Sequence, residues 1–200
     1  LPTGGGQNAV DFVATGNLAN GQAVALKTDG TVEVIAASTD SAGTPVIFAT
    51  VSTGYTSSTF DSTLNKVVVA YSDITNGYYG NVVVGTVSGT SISFGTAVVF
   101  NSARSDRIAT TFDSTNGKVV IAYRDWGNNL YGAAKVGTVS GTSISYGSAV
   151  VFEAAEIGNV VATFDSYSNK VVIVCTDNPN SFYGTAVVGT VSGTAISFGT

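Results

Sequence analysis

Residues 112–132 read FDSTNGKVVIAYRDWGNNLYG, and the chain writes nearly the same text at 60–80, FDSTLNKVVVAYSDITNGYYG, and at 164–184, FDSYSNKVVIVCTDNPNSFYG. Phe60, Phe112 and Phe164 are 52 residues apart, as are Asp61, Asp113 and Asp165, then Lys66, Lys118 and Lys170. Gly43, Gly95, Gly147 and Gly199 keep the same interval, as do Gly85, Gly137 and Gly189, with no insertion or deletion. An interval held this strictly marks units that pack against copies of themselves. The reading divides the chain into an N-terminal segment, 1–42, and three tandem repeats, 43–94, 95–146 and 147–198, with the start of a fourth.

Each unit reads as four strands. In the middle copy they are IATTFDS (108–114), KVVIAYRD (118–125), YGAAKVGTVS (131–140) and SISYGSAVVF (143–152), the last bent at Gly147. The second is rich in β-branched and aromatic residues and apolar on both faces, which predicts cover on both sides. STNG and SGT are turn chemistry, and no stretch has helical periodicity. The predicted fold is therefore all-β: four-stranded antiparallel units that are blades of a β-propeller, or alternatively a linear stack of β-sandwich or solenoid units in a fibre. Three units are too few for a propeller ring, which typically takes four to eight. The reading therefore expects more chain beyond residue 200, or several chains in one assembly. Ahead of the repeats, GQAVALKTDGTVEVIA (21–36) predicts a hairpin about a type I′ Asp29-Gly30 turn. AVDFVATG could add a strand, making a small cap or docking segment, and LPTGG (1–5) reads as a flexible leader.

Composition narrows the function. Charged residues make up 10% of the chain against 44% hydrophobic, and the net charge is −5. Eight scattered Lys and Arg give no basic run for phosphate contacts, so nucleic acid is disfavoured. No apolar run is long enough for a membrane helix. With no His, three Arg and three Glu, neither a catalytic triad nor a zinc site can be assembled. The chain reads as a non-enzyme without cofactor. A carboxylate pair such as Asp106 with Glu153 or Glu156 leaves a propeller glycosidase as the remote alternative. The lone Cys175 replaces Tyr71 and Tyr123 of the other copies, which marks a packing position.

Asp-x-x-Asn-x-x-Tyr-Gly recurs between the second and third strands, starting at Asp73, Asp125 and Asp177. Such spacing suits a calcium loop or a turn in which the side chains bond their own backbone. One carboxylate per loop is few for a cation, so turn formation is the adopted reading and the three aspartates are weak metal candidates. Asp61, Asp113 and Asp165 read as turn caps, with a local salt bridge to the following Lys possible. Variation is confined to one edge of the unit. The turns DSTLNK, DSTNGK and DSYSNK and the invariant VSGT barely change. The loops ITNGY, WGNNL and NPNSF, and the links ATVSTGY, NSARSDR and EAAEIGN, change freely. Loops on a rigid scaffold are where recognition is built, although drift in unconstrained loops gives the same pattern. The candidate ligand residues on that edge are Trp126, Asn128, Asn129, Arg104, Asp106, Arg107 and Tyr78. Trp126, the only tryptophan, is suited to stacking on a sugar ring or to packing against a neighbouring unit.

The stretch AVDFVATGNLANGQAVALKTDGTVEVIA (9–36) leads into repeats rich in Gly, Thr, Ser and Val. This arrangement resembles virion appendage (tail-fibre-like) proteins of aquatic bacteriophages, where a phrase such as FVATGxLxNGxxVxLxxDGTV precedes repeats of this style. The resemblance implies a virion or extracellular structural protein that recognises host surface polysaccharide and contacts itself or other virion proteins. A bacterial extracellular adhesin or surface filament subunit is the alternative.

Overall fold

In the computed structural model the described residues are 13–14, 16–18, 23–35 and 43–199; the leader assigned to 1–5 lies outside them. The chain divides between residues 42 and 43 into two compact units. Both are all-β, and no helix among the described residues is long and apolar enough to cross a membrane.

The N-terminal unit has strands β1 (Val13–Ala14), β2 (Val24–Leu26) and β3 (Thr31–Val34), in the order β1-β3-β2. β2 and β3 form the expected hairpin and β1 adds to β3 in parallel. The turn is not type I′. Only Gly30 has a positive φ, +80°, while type I′ needs two such residues. The Gly30 amide bonds the Lys27 carbonyl and the Lys27 amide bonds the Thr31 carbonyl, a wider turn that closes through glycine. Asp29 caps it by accepting from the Thr31 amide (2.9 Å) and hydroxyl (2.7 Å), leaving its own backbone in the ordinary region.

The larger unit has twelve antiparallel strands, ten on one hydrogen-bonded path and two short ones off it, the fourth paired with the third and the eighth with the seventh in chain order. They are β4 (Thr53–Asp61), β5 (Lys66–Asp73), β6 (Tyr79–Ser88), β7 (Ser91–Phe94), β8 (Val98–Asp113), β9 (Lys118–Asp125), β10 (Tyr131–Ser140), β11 (Ser143–Tyr146), β12 (Val150–Asp165), β13 (Lys170–Asp177), β14 (Tyr183–Ser192) and β15 (Ala195–Phe198). Register repeats with the sequence: Val67 faces Gly85, Val119 faces Gly137, and Val171 faces Gly189. We call β4–β7, β9 to β11 with the end of β8, and β13 to β15 with the end of β12 the first, second and third sheets.

One expectation is corrected here. The links NSARSDR and EAAEIGN are not loops; they lie inside the sixteen-residue strands β8 and β12. The first half of β8 pairs with β6 of the first sheet and its second half with β9 of the second. The polar letters of 101–107 suggest a loop, but both halves find backbone partners, Arg104 opposite Tyr79 and Ser105 opposite Asp125. The change of direction is absorbed by Arg107, at φ 51°, and a register shift between Asp106 and Ala109. The fourth strand is likewise split, with pairing interrupted at residues 147–149.

Alternation along β9 explains its double cover. Val119, Ile121 and Tyr123 join a core with Val68, Ala70, Val82 and Val84 of the first sheet. Val120 and Ala122 point the other way, into a core with Val171, Ile173 and Cys175 of the third. Successive side chains of a strand point to opposite faces, so the second sheet is packed between its neighbours. Each Val or Ile so buried contributes about 1.5–3 kcal/mol.

The constant edge is made by aspartates. Asp61 accepts from the amides of Thr63 and Leu64, Asp113 from Thr115 and Asn116, and Asp165 from Tyr167 and Ser168. The following lysines do not pair with them. Lys66, Lys118 and Lys170 instead reach the hydroxyls of Thr86, Thr138 and Thr190, at 2.7–2.9 Å. An oxygen of each aspartate already serves the turn amides, while the threonine lies alongside the lysine on the adjacent paired strand.

Candidate functional site

At the variable edge each loop between the second and third strands begins with an aspartate. Asp73 Oδ1 accepts from the amides of Thr75 and Asn76 and from the Thr75 hydroxyl. Asp125 Oδ1 accepts from the Gly127 amide and Asn101 Nδ2, and Asp177 Oδ1 from the Asn180 amide. A 3₁₀ turn follows in the first two loops, Ile74–Asn76 and Trp126–Asn128. The carboxylates thus hold their own turns, and no group of three His, Cys, Asp or Glu among the described residues could hold a metal ion.

The second loop carries a cluster that the others lack. Asp106, wholly buried, receives Arg124 in a two-pronged contact, Nε to Oδ1 at 2.7 Å and Nη2 to Oδ2 at 3.0 Å. The Trp126 indole Nε1 donates to the same Oδ2 at 2.7 Å, and Arg104 Nη2 lies 3.5 Å from it. Arg124 Nη1 donates to the Ile157 carbonyl at 3.1 Å and lies 3.7 Å from Glu156 Oε1. The Arg104 guanidinium lies over the Trp126 ring at 3.8 Å and over the Tyr78 ring at 4.6 Å, a cation–π arrangement. Charges therefore alternate through the cluster, which is how a buried carboxylate is tolerated.

Burial alone would raise the Asp106 carboxyl, but the bonds from Arg124 and Trp126 and the charges of Arg124 and Arg104 outweigh it and hold the group below the ordinary aspartate value. Asp106 thus stays ionised and is a poor proton donor. As one member of a glycosidase carboxylate pair it would also have to leave Arg124.

Sequence positions 52 apart show what is special here. Asp106, Arg124 and Trp126 stand where the first sheet has Gly54, Ser72 and Ile74 and the third has Gly158, Thr176 and Asn178. These trios also meet in space: a Cβ on Gly54 would lie 3.3 Å from Ile74, and one on Gly158 would lie 2.9 Å from Thr176 and 3.0 Å from the Asn178 side chain. The second position alone exchanges a glycine-based contact for a charged one. Arg124 was not singled out in the sequence. Its signal was present, an arginine in a strand whose equivalents are Ser72 and Thr176.

The structure brings Tyr78, Arg104, Asp106 and Trp126 together. Trp126 remains 43% exposed, although one face lies under Arg104 and its Nε1 is occupied. Asn128 is half-buried and Asn129 exposed, closing the turn in the left-handed region at φ 53°. Arg107 stands apart from the cluster. It bonds Asn159 Oδ1 at 3.0 Å and lies 5.7 Å from the Tyr55 ring, in a row of three equivalent positions across the sheets. Cys175 is buried in the second core, where loss of solvent, with the charges of Glu153 and Asp177, pushes its thiol up to about 11. It stays a packing group, unfit as a nucleophile at neutral pH. No family model, curated protein or solved structure matches the chain.

Proposed function

We propose that this chain is a phage virion appendage protein of tail-fibre type, whose stacked β units are propeller blades that hold one variable edge toward host surface polysaccharide. The observation that carries this reading is the cluster of Arg104, Tyr78, Asp106 and Trp126, built at one of three equivalent positions on that edge. A half-exposed indole anchored through its Nε1 is an aromatic platform of fixed orientation. Such a face packs on the apolar side of a sugar ring. Asn128, Asn129 and Arg107 stand on the same edge as donors for hydroxyls. Low charge and a scaffold held by hydroxyl and amide bonds suit a virion or extracellular setting.

The blade reading is supported by the meander of each sheet and by β8 and β12, which pass from the outer pairing of one sheet into the next. The test is binding to an array of purified bacterial surface polysaccharides. Trp126→Ala and Arg107→Ala are each expected to weaken binding at least tenfold while the protein stays folded. Wild-type protein that binds no glycan, or folded variants that bind as wild type does, would remove this edge as the receptor site.

A further inference from the structure

The two joints along the variable edge carry opposite charges at one repeat position. Tyr78, Arg104 and Trp126 stand 52 residues ahead of Leu130, Glu156 and Asn178. At the joint between the second and third sheets the charge is spent. Glu156 Oε1 accepts from Asn178 Nδ2 at 3.1 Å and lies 3.7 Å from Arg124 Nη1. At the joint between the first and second sheets it is not. Arg104 is held by stacking on two rings, and among the described residues its guanidinium donates no hydrogen bond.

The reason lies with Asp106. Its two oxygens already accept three bonds, two from Arg124 and one from Trp126. Arg104 Nη2 comes no closer to it than 3.5 Å, too long for a good N–H···O bond. A guanidinium carries five N–H donors in a planar fork, and donors left unused cost more on a charged group than on a neutral one. The Arg104 Nε is shut off from solvent without a partner, but the terminal nitrogens are not, and the side chain is 36% exposed. Tyr78 and Trp126 engage the faces of the fork. Its rim, where the N–H groups point, is left over.

We infer that the polysaccharide taken at this edge is acidic, and that Arg104 receives the carboxylate of a uronic acid residue on its terminal nitrogens. The inference rests on the glycan reading and names the class of sugar. A carboxylate is planar and accepts two parallel N–H bonds from an arginine fork. Trp126, 43% exposed beside it, offers apolar surface to the sugar ring that bears the acid. The surrounding charges select a single anion. Arg124 is matched by Asp106 and Glu156, and Asp125 begins the same loop. Arg104 therefore compensates one negative charge, and a dianionic phosphate ester would be repelled. A sulfate ester carries the same single charge, and reduction of carboxyl groups tells the two apart. A chain of net charge −5 repels a polyanion over most of its surface, and its three arginines, Arg104, Arg107 and Arg124, all stand at this edge.

The array of purified bacterial surface polysaccharides tests it, with each uronate-bearing member also presented after its carboxyl groups are reduced to alcohols. Wild type is expected to bind uronate-bearing members and to lose at least about tenfold in affinity for a member once it is reduced, the scale of a charge-assisted bond. Raising salt from about 0.05 to 0.5 M, which shortens the screening length about threefold, should weaken binding to the native form and spare the reduced one. Arg104→Gln, checked for folding by circular dichroism, should bring the two forms to within about twofold of each other. If that variant does not fold, Arg104→Lys, which keeps charge and stem but loses the fork, takes its place and should narrow the preference at least about threefold. Equal binding of native and reduced forms by wild type overturns the inference and leaves the glycan reading standing, as does binding confined to neutral or sulfated members. A folded variant that keeps the full preference for the native form also overturns it. Binding to no member of the array overturns both readings.

Discussion

Val136 and Val188 are the same residue at the same register of equivalent strands, yet one is wholly buried and the other half exposed. Ala122 and Val174 differ in the same way, 0% against 44%. The second sheet has a neighbour on each face and the third has one on a single face. Apolar character therefore belongs to the unit, whereas burial belongs to its position in the stack. A hydrophobic pattern repeated in sequence announces a surface meant for contact, and only the arrangement of the sheets tells which copies have made it.

Substitutions at the paired positions should expose that difference at its largest. Val136→Asp places a carboxylate in a core with no partner and should abolish cooperative unfolding, a loss of several kcal/mol. Val188→Asp in dilute protein should stay within about 0.5 kcal/mol of wild type. Urea titration followed by circular dichroism measures both, and equal losses would break the comparison.

The charged cluster sharpens it next. Asp106→Gly strands Arg124 and should cost about 3–5 kcal/mol. Exchanging the whole trio for that of the first sheet, Asp106→Gly with Arg124→Ser and Trp126→Ile, should recover stability to within about 1 kcal/mol of wild type, since a complete apolar replacement of a buried ion pair is often neutral. Failure to recover would mean that the three positions are not interchangeable.

Acid adds a third, smaller contrast. The folded value of Asp106 lies below its unfolded one. The unfolded chain therefore takes up the proton first, and the stabilisation is fully present above about 3.9, the ordinary aspartate value, and fades as pH falls through the lower folded value. Melting temperature should drop below that pH more steeply in wild type than in the triple variant. The smallest effect compares turns. Asp113→Ala, which removes a buried cap also bonded by Asn116 Nδ2, should cost about 1–2 kcal/mol, and Asp165→Ala less. Thermal melts of the two single variants rank them.

Much of the strand plan was legible: β9 and β10 occupy 118–125 and 131–140, the stretches marked by β-branched residues and turn letters. The aspartates were legible as turn formers because a short acid before small polar residues has backbone amides within reach. The run of β8 through 101–107 was not, since Asn, Ser, Arg and Asp look like loop letters, and only long-range pairing makes them a strand. Trp126, Tyr78 and Arg104 could each be picked out as unusual letters on one edge, but their stacking depends on two units meeting. Arg124 is hard to read from sequence because it directly follows a run of core residues, Val119 to Tyr123, in the same strand.

Because β8 and β12 carry the chain from sheet to sheet without a loop, there is no slack at the crossings. One residue inserted between Val98 and Asp113 would turn every later side chain to the opposite face and set cores against solvent. The variable edge is therefore free to change its letters but not its length at these crossings. A lineage of such chains would grow or shrink by duplicating or deleting whole modules of 52 residues, so its members should differ in copy number long before they differ in spacing.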